Sequence, residues 1–310
     1  MTHQIAIVGA SSQIAKDLTK SFVVHGQRGL LLYVRDVAAM TAWLHINELA
    51  DDCSVHEYKT YGELAHDAVL NFVGVGDPRR AAEMGASIFE VTHQFDDMVL
   101  ADLARHPERR YVFLSSGAAY GSGFAEPASL RTEAHIPINA IGPQDYYAAA
   151  KLYAEVRHRA RPELAIVDLR VFNYFSRTQD IEAHFFITDI ARATRDGQVL
   201  LTSADYMVRD YLHPADFHRL VSCVLATPPR NGVIDCYTRE AIDKPTLLAA
   251  MRERFSLRFE IVASTAAVTT NATGTKPHYY SLNRTASEFG YEPALSSLDG
   301  VLQEMAALLA

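Results

Sequence analysis

The chain has 310 residues, of which 49% are hydrophobic and 21% charged, which is typical of a folded globular protein rather than a disordered one. Its net charge is −8, with acidic and basic residues mixed along the chain, so neither a nucleic-acid polymer nor an anionic membrane is an expected partner. Three widely spaced cysteines, Cys53, Cys223 and Cys236, predict no disulfide framework and favour a cytoplasmic location. No apolar run approaches the ~20 residues needed to cross a bilayer.

The first predicted elements are a strand at Ile5–Val8, a turn over residues 9–15 and a helix that ends near Val24. A strand that delivers glycine to the start of a helix offers backbone N–H groups and the positive end of the helix dipole to a pyrophosphate. We therefore predict a dinucleotide site here, with an ordinary strand-to-helix turn as the alternative. Its residues would be Gly9, Ser11, Ser12, Gln13 and Ile14. Ser12 replaces a glycine of the full motif, and its hydroxyl is a candidate helix cap.

The second predicted strand, Leu30–Val34, ends in Arg35 and Asp36, where a dinucleotide site contacts the adenosine ribose. Arginine pairs with a 2′-phosphate, whereas aspartate accepts hydrogen bonds from a free 2′-hydroxyl. Arg35 comes first and favours NADP, while Asp36 keeps NAD open. A solvated pair of charges at a strand end is the alternative interpretation.

Further strands are predicted near residues 54–58, 69–73 and 111–114, with a long helix over 86–105. The last of these strands runs into Ser115 and Ser116 at its carboxyl end, the edge where open α/β sheets bind their ligands. A serine there can hydrogen-bond a substrate hydroxyl, although serines are also common turn formers. Residues 121–143 form a long loop, and such loops are usually functional.

The most informative pattern is the pair Tyr147 and Lys151 on a helix predicted to end near residue 160. Residues four apart share a helix face, so the ammonium is expected to lie beside the phenol and to lower the pKa of Tyr147. A tyrosine of this kind could donate or accept a proton near neutral pH. It would suit an enzyme that moves a hydride on or off a sugar or alcohol carbon.

Strands alternating with helices, including a strand at 164–169, predict an α/β fold with a Rossmann-type doubly wound parallel sheet. Residues 1–173 are the predicted NAD(P)-binding domain, to which a segment around 205–235 returns. Residues 174–310 then form mainly a smaller C-terminal substrate-binding lobe, for which a helix at 181–195 and a strand at 199–202 are predicted.

The order of these motifs resembles the extended short-chain dehydrogenase/reductase family, in its nucleotide-sugar epimerase/dehydratase branch. The resemblance rests on the glycine-type turn, Ser-Ser-x-x-x-Tyr-Gly ending at Gly121, Tyr-x-x-x-Lys ending at Lys151, Arg-x-x-Asn ending at Asn173, and Arg-Asp-Tyr-x-His beginning at Arg209. It spans nearly the whole chain and implies a nucleotide-sugar substrate and an NADP or NAD cofactor.

The resemblance also implies roles for individual residues. Tyr147 would be the catalytic acid/base, Ser116 the catalytic serine, and Lys151 the residue that binds the nicotinamide ribose. The implied substrate contacts are Ser116, Tyr120, Asn173 and Arg209. Gly74 and Gly76 lie where the family brings its backbone close to the cofactor.

Departures from the family pattern reduce the number of reactions that the resemblance implies. Gly117 and Ala118 follow Ser116, where sugar 4,6-dehydratases of the family carry an Asp-Glu pair. We therefore expect a 4-epimerase or a 4-ketoreductase acting at sugar C4, not a dehydratase. No acid-plus-small-residue pair follows the third strand near Glu57, which puts the usual adenine contact in doubt. A non-catalytic NADP-binding sensor on the same fold is the competing hypothesis.

Two further expectations concern assembly and metals. Relatives commonly dimerise through the helices predicted at 86–105 and 147–160, so a homodimer is expected. Their outer faces carry Phe95, Met98, Tyr153 and Val156, which is also compatible with a monomer core. No metal site is predicted, and His213 is expected to hydrogen-bond within its own turn. Lys276 is a candidate phosphate contact or an ordinary surface lysine.

Overall fold

The computed structural model describes residues 3–75, 81, 83–262 and 276–310. The strands in these ranges are, in chain order, β1 Ile5–Val8, β2 Leu30–Val34, β3 Cys53–Glu57, β4 Ala68–Asn71, β5 Arg110–Ser116, β6 Ala165–Val171, β7 Asn173–Tyr174, β8 Val199–Ser203, β9 Val208–Arg209, β10 Tyr211–Leu212, β11 Gly232–Asp235, β12 Ile242–Asp243, β13 Arg258–Val262 and β14 His278–Tyr279. The helices are α1 Gln13–Val24, α2 Val37–Ile46, α3 Ser87–Leu103, α4 Pro143–Arg159, α5 Phe186–Arg195, α6 Pro214–Ala226, α7 Lys244–Phe255 and α8 Ser297–Leu309.

Seven strands form one parallel sheet in the order β11-β6-β5-β4-β1-β2-β3. Val8 of β1 pairs with Tyr33 of β2 on one side and with Asn71 of β4 on the other. Strands β1, β2 and β4 are buried throughout, as expected of a parallel sheet covered on both faces by helices. The strand order reverses between β1 and β4, which opens a crevice at the carboxyl ends of these strands. The predicted Rossmann-type fold is confirmed.

Two helical layers enclose this sheet. On one face, Leu18 and Phe22 of α1 share a core with Leu220 and Val221 of α6. On the other face, α3 and α4 pack against the sheet through a core that includes Val99, Leu103 and Ala154. The predicted helix cap is also confirmed, because the Ser12 hydroxyl accepts a hydrogen bond from the Ala15 N–H at 3.4 Å.

Helix α4 begins earlier than the motif at Tyr147 suggested. Pro143 stands at its start, where a missing N–H has no effect on the helix, and the Asp145 carboxylate accepts the Gly142 N–H at 3.0 Å. As a result, Tyr147 lies in the second turn and Lys151 at the middle of a helix of 17 residues that leads away from the carboxyl edge of the sheet.

The second lobe has its own core, in which Ile187 and Ile190 of α5 pack with Leu247 and Met251 of α7 and with α8. Its short strands pair as β10-β7, β12-β9-β14 and β13-β8. β11 instead joins the main sheet, where it pairs in parallel with β6. None of the helices described is long and apolar enough to span a membrane.

Candidate active site

A cavity of about 510 Å³ opens at the carboxyl edge of the main sheet, between the two lobes. The sheet side of its wall comes from the start of α1, the ends of β4, β5 and β6, and the first turns of α4. Aromatic residues supply much of the wall on the other side. They include Phe185, Phe186, Tyr211 and Tyr279.

Ser116, Tyr147 and Lys151, the three residues predicted to be catalytic, all line this cavity. Lys151 is only 4% exposed, and its Nζ donates a hydrogen bond to the Leu114 carbonyl oxygen at 2.7 Å. The same nitrogen lies 4.5 Å from the centre of the Phe113 ring and 5.9 Å from that of the Tyr147 ring. The helix spacing therefore brings the phenol and the ammonium to one place, with the ammonium directed at the end of β5.

The pKa of Tyr147 is raised by burial, and a hydrogen bond to Ser116 offsets this only in part. The expectation that Lys151 lowers the pKa of Tyr147 is therefore wrong for the structure as it stands, because desolvation of the phenolate dominates. Burial also lowers the pKa of Lys151 to about 8, against the opposing charges of Glu155, Asp168 and Asp96.

A second tyrosine, Tyr279 of β14, reaches the same serine. Its hydroxyl lies 3.3 Å from Ser116 Oγ, which also accepts the Ala118 N–H at 3.1 Å. The rings of Phe124 and Phe172 pack edge-on against Tyr279 at 4.8 and 5.3 Å. Sequence reasoning missed Tyr279, since it belongs to no recognised motif and lies on a two-residue strand. Burial raises the pKa of Tyr279 well above its usual range.

At the opposite end of the cavity lies the turn predicted to bind pyrophosphate. Ser11, Ser12, Gln13 and Ile14 line the wall, and Gly9 lies beneath them with a φ of 79°. A Cβ on Gly9 would lie 2.7 Å from the Val73 nitrogen, so only glycine allows this close approach of β1 to the chain leaving β4.

Gly74 is another residue of the cavity wall, and its backbone lies close to the Lys151 side chain. A Cβ there would contact Lys151 Nζ at 3.4 Å. The start of α1, the bare backbone at Gly74 and the buried cation at Lys151 fit the phosphate, ring and ribose of a dinucleotide. Gly76, also predicted to approach the cofactor, lies outside the described residues.

Arg35 and Asp36 follow β2 as predicted, and both side chains are exposed. The Asp36 carboxylate also caps α2 by accepting the Ala39 N–H at 2.9 Å. Directly after β3, the Tyr58 ring packs edge-on against that of Phe95 with their centres 4.5 Å apart.

Asn173 and Arg209 line the cavity together with Tyr279. Asn173 Nδ2 donates to the Tyr279 carbonyl oxygen at 3.3 Å, and Arg209 donates to the carbonyl of Lys276 at 2.8 Å. The charged groups of Arg209 and Lys276 lie 5.9 and 4.9 Å from the Tyr279 ring. Burial, with the nearby Arg209 charge, lowers the pKa of Lys276 to about 8. This end of the cavity is therefore positively charged.

Tyr120 does not join the other predicted site residues. Its hydroxyl donates to the buried Asp235 carboxylate at 2.9 Å, and its ring stacks with that of Phe172 at 6.4 Å. Among the described residues, it contributes to a core behind the cavity rather than to the cavity wall. The geometry therefore gives no support to the predicted substrate contact of Tyr120.

Gly117 is the residue that lets Phe172 pack beneath Ser116. We expect Gly117→Ala to lower the free energy of unfolding by about 1–3 kcal/mol, because the new Cβ would lie 2.4 Å from Phe172 Cδ1. Gly123→Ala is the matched control, since a Cβ there meets nothing within 4 Å. Urea unfolding followed by circular dichroism compares the two variants. Equal stability of both would contradict the close packing of Phe172 on Gly117.

His213 behaves as expected, because its Nδ1 accepts the Ala215 N–H at 3.1 Å within its own turn. Its Nε2 lies 3.1 Å from Glu304 Oε1 on α8. In the described part of the chain, no group of three or more His, Cys, Asp or Glu side chains is arranged to hold a metal ion.

The doubly wound sheet, with a cavity at its strand-order reversal, defines a Rossmann-type α/β protein. The model of the NAD dependent epimerase/dehydratase family matches residues 5–236, and the chain is an enzyme that belongs to this family. No curated protein matches the sequence significantly.

Solved structures share the fold over almost the entire chain. UDP-glucose 4-epimerase from Bifidobacterium longum, in complex with NAD+ and UDP, superposes with a TM-score of 0.76 at 16% identity, covering 97% of each chain. UDP-glucose-4-epimerase from Stenotrophomonas maltophila, with bound NAD and formylated UDP-arabinopyranose, gives a TM-score of 0.79 at 17% identity, covering 99% of this chain and 98% of its own. UDP-glucuronic acid 4-epimerase from Bacillus cereus gives 0.77 at 14% identity, covering 99% and 98%.

Proposed function

We propose that this protein is an NAD(P)-dependent nucleotide-sugar 4-epimerase or 4-ketoreductase, with Tyr147 as its acid/base. The observation that carries the proposal is the meeting of Ser116, Tyr147 and Lys151 in one cavity wall, next to the start of α1. Three solved structures of the same fold are UDP-sugar 4-epimerases that hold NAD or NAD+. Both reactions need the same proton transfer at one sugar hydroxyl.

In the proposed mechanism, Tyr147 transfers the proton of the sugar hydroxyl while Ser116 hydrogen-bonds the same oxygen. Lys151 would bind the ribose of the cofactor and, by redirecting its ammonium from the Leu114 carbonyl, would favour the phenolate of Tyr147. A bound nicotinamide supplies the hydride acceptor and donor for the sugar carbon. The N–H groups of Ser11, Gln13 and Ile14 would hold the cofactor's pyrophosphate, since the Ser12 N–H already donates to the Gly9 carbonyl oxygen at 3.1 Å.

The positive end of the cavity supports a substrate that carries phosphates. Arg209 is 3% exposed and lies beside Lys276, so these two cations and the Asn173 amide could neutralise and orient a nucleotide diphosphate. The aromatic wall near Phe185 and Phe186 would then cover the nucleoside.

Two features of the site bear on which reaction and which cofactor these catalytic residues would serve. Gly117 and Ala118 carry no carboxyl group, and Phe172 fills the space beside Gly117, so we exclude 4,6-dehydration from the proposal. Arg35 and Asp36 are both exposed after β2, but the Asp36 carboxylate already caps a helix, which supports NADP as the cofactor. An exchangeable NADP would suit the ketoreductase, and the NAD held by the solved epimerases supports the epimerase.

The test is incubation of the purified protein with UDP-sugars and 4-keto UDP-sugars in the presence of NADH, NADPH, NAD+ or NADP+. Loss of nicotinamide absorbance with a keto sugar identifies the reductase, and an isomer peak without net loss identifies the epimerase. Turnover of none of these substrates, together with tight NADP(H) binding, would favour the competing hypothesis of a non-catalytic NADP sensor.

We also propose a homodimer formed through α3 and α4. Tyr153 and Val156 of α4 are 53% and 56% exposed, and Phe89 of α3 is 36% exposed, so an apolar strip lies open on this pair of helices. A sedimentation mass of one chain would contradict the dimer. The proposal also includes a cofactor domain over residues 1–173, to which residues 205–235 return, and a substrate lobe over 174–310. A cytoplasmic location is its last part.

A further inference from the structure

Glu155 is a buried carboxylate one helical turn beyond Lys151 on α4. It is 4% exposed, and it accepts hydrogen bonds from two neighbouring strands of the main sheet. Ser115 Oγ of β5 donates to Glu155 Oε1 at 2.5 Å. Arg170 of β6 donates through Nη2 at 2.5 Å and through Nε at 3.0 Å. The carboxylate is therefore held in one position by three donors.

These contacts join the two elements that carry the proposed catalytic groups. Leu114, Ser115 and Ser116 are consecutive at the end of β5. The Leu114 carbonyl accepts Lys151, the Ser115 hydroxyl binds Glu155, and Ser116 Oγ faces the tyrosines of the cavity. Helix α4 is thus fastened to β5 at two points a helical turn apart, which sets the position of Tyr147 relative to Ser116.

Several charged groups face Lys151 from the surrounding elements. The carboxylates of Asp96 on α3 and Asp168 on β6 both raise the pKa of Lys151. Both carboxylates also contact the His158 ring, at 2.8 and 2.6 Å. Each of these carboxylates also pairs with an arginine: Asp96 with Arg157, Asp168 with Arg159, and Glu155 with Arg170. Tyr147 lies on the same helix as Lys151. Of the three carboxylates, Glu155 contributes most to opposing the effect of burial on the pKa of Lys151.

We propose that Glu155 is a positioning residue for the reaction, whose buried carboxylate keeps the Lys151 amine protonated and aligned with β5. The inference rests on the proposed function of Lys151 and Tyr147. Its consequence is that a charge which touches neither cofactor nor substrate sets the pH range in which the site works.

The test replaces Glu155 by glutamine, which keeps the shape and can still accept the Ser115 hydroxyl. Protein carrying [13Cε]lysine is titrated by NMR, with the Lys151 resonance assigned from Lys151→Arg. Lys151 normally titrates near the pKa of about 8 set by its burial. In Glu155→Gln we expect its midpoint to fall by about one pH unit, since a nearby opposite charge typically shifts a pKa by that amount or more. The alkaline limb of the kcat profile should move to lower pH by a similar interval.

Controls separate charge from packing. Ser115→Ala removes one hydrogen bond but keeps the charge, and Glu163→Gln removes an exposed charge elsewhere, so both should leave the Lys151 midpoint unchanged. If Glu155→Gln does not fold, Glu155→Gln/Arg170→Met removes the buried pair together, and a smaller downward shift is expected. An unchanged Lys151 midpoint in a folded variant would overturn the proposal. This titration needs no substrate, so it is informative even if no nucleotide sugar is turned over.

Discussion

Replacing Tyr147 by phenylalanine is expected to lower turnover by about 10²–10⁴-fold, because the ring keeps its packing while the hydroxyl that transfers the proton is lost. The affinity for NAD(P)H should change little, since the start of α1 and Lys151 are untouched. Steady-state kinetics on whichever UDP-sugar is turned over measures the first effect, and calorimetric titration of the cofactor measures the second.

The chain supplies a matched control for this variant. Tyr146 precedes Tyr147 on α4, and its ring lies 5.5 Å from that of Phe89 on α3. Tyr146→Phe removes a phenol hydroxyl from the same helix but from a different face, so kcat should stay within about twofold of the parent enzyme. Full activity in Tyr147→Phe would rule out the acid/base role, whereas equal losses in both variants would indicate a general effect on α4.

The second large effect is expected on stability, at His158 of α4. This fully buried ring lies between two buried carboxylates, 2.6 Å from Asp168 and 2.8 Å from Asp96. His158→Leu removes the partner that both carboxylates share, while Arg157 still pairs with Asp96 and Arg159 with Asp168, so the free energy of unfolding should fall by about 1.5–3 kcal/mol. Urea unfolding at neutral pH measures the change.

A histidine at the surface of α3 is the control for His158. His93 pairs with Asp97 at 2.9 Å, but the two side chains are 48% and 45% exposed. His93→Leu should therefore change stability by at most about 1 kcal/mol. A loss below that value in His158→Leu would contradict a net stabilising contribution from the contacts of His158 with Asp168 and Asp96.

The titration of His158 is also expected to make the free energy of unfolding depend on pH. Burial opposes the charged ring, but Asp168 and Asp96 outweigh burial and raise the pKa of His158 to about 9. A raised pKa means that the folded state binds the proton more tightly than the unfolded chain, in which histidine titrates near ~6.5. The extra stability is fully present below pH ~6.5 and is lost as the pH rises through about 9. His158→Leu should remove this part of the alkaline decline.

The predictions that succeeded depend on short stretches of the chain. Neighbouring residues are sufficient to predict the alternation of apolar strands with helices, the turn after β1 and the Ser12 cap. All three are found in the structure. Tyr147 and Lys151 share a wall because a helix repeats its faces every three to four residues. Residues whose position follows from local periodicity could therefore be placed before the fold was known.

The direction of the Lys151 ammonium could not be predicted in this way. It depends on the Leu114 carbonyl, which reaches α4 only once β5 and the helix pack together. The error in the pKa of Tyr147 has the same origin, because the helix spacing shows which charge is near but not how much water the fold removes. The hydrogen-bond partner of Tyr120 could not be predicted for a similar reason, since Asp235 comes from a strand that joins the sheet much later in the chain.

By itself, the sequence determined the class of fold, the position of the strand-to-helix turn after β1 and the placing of Tyr147 and Lys151 on one helix face, because these depend on hydrophobic periodicity and helix geometry. Only the tertiary structure decided that Tyr279 meets Ser116, from which it is separated by 163 positions, and that Glu155 binds both β5 and β6. Such contacts form when distant segments share one desolvated interior. There the cost of leaving a buried polar group unpaired selects the partner, and no local pattern records that choice.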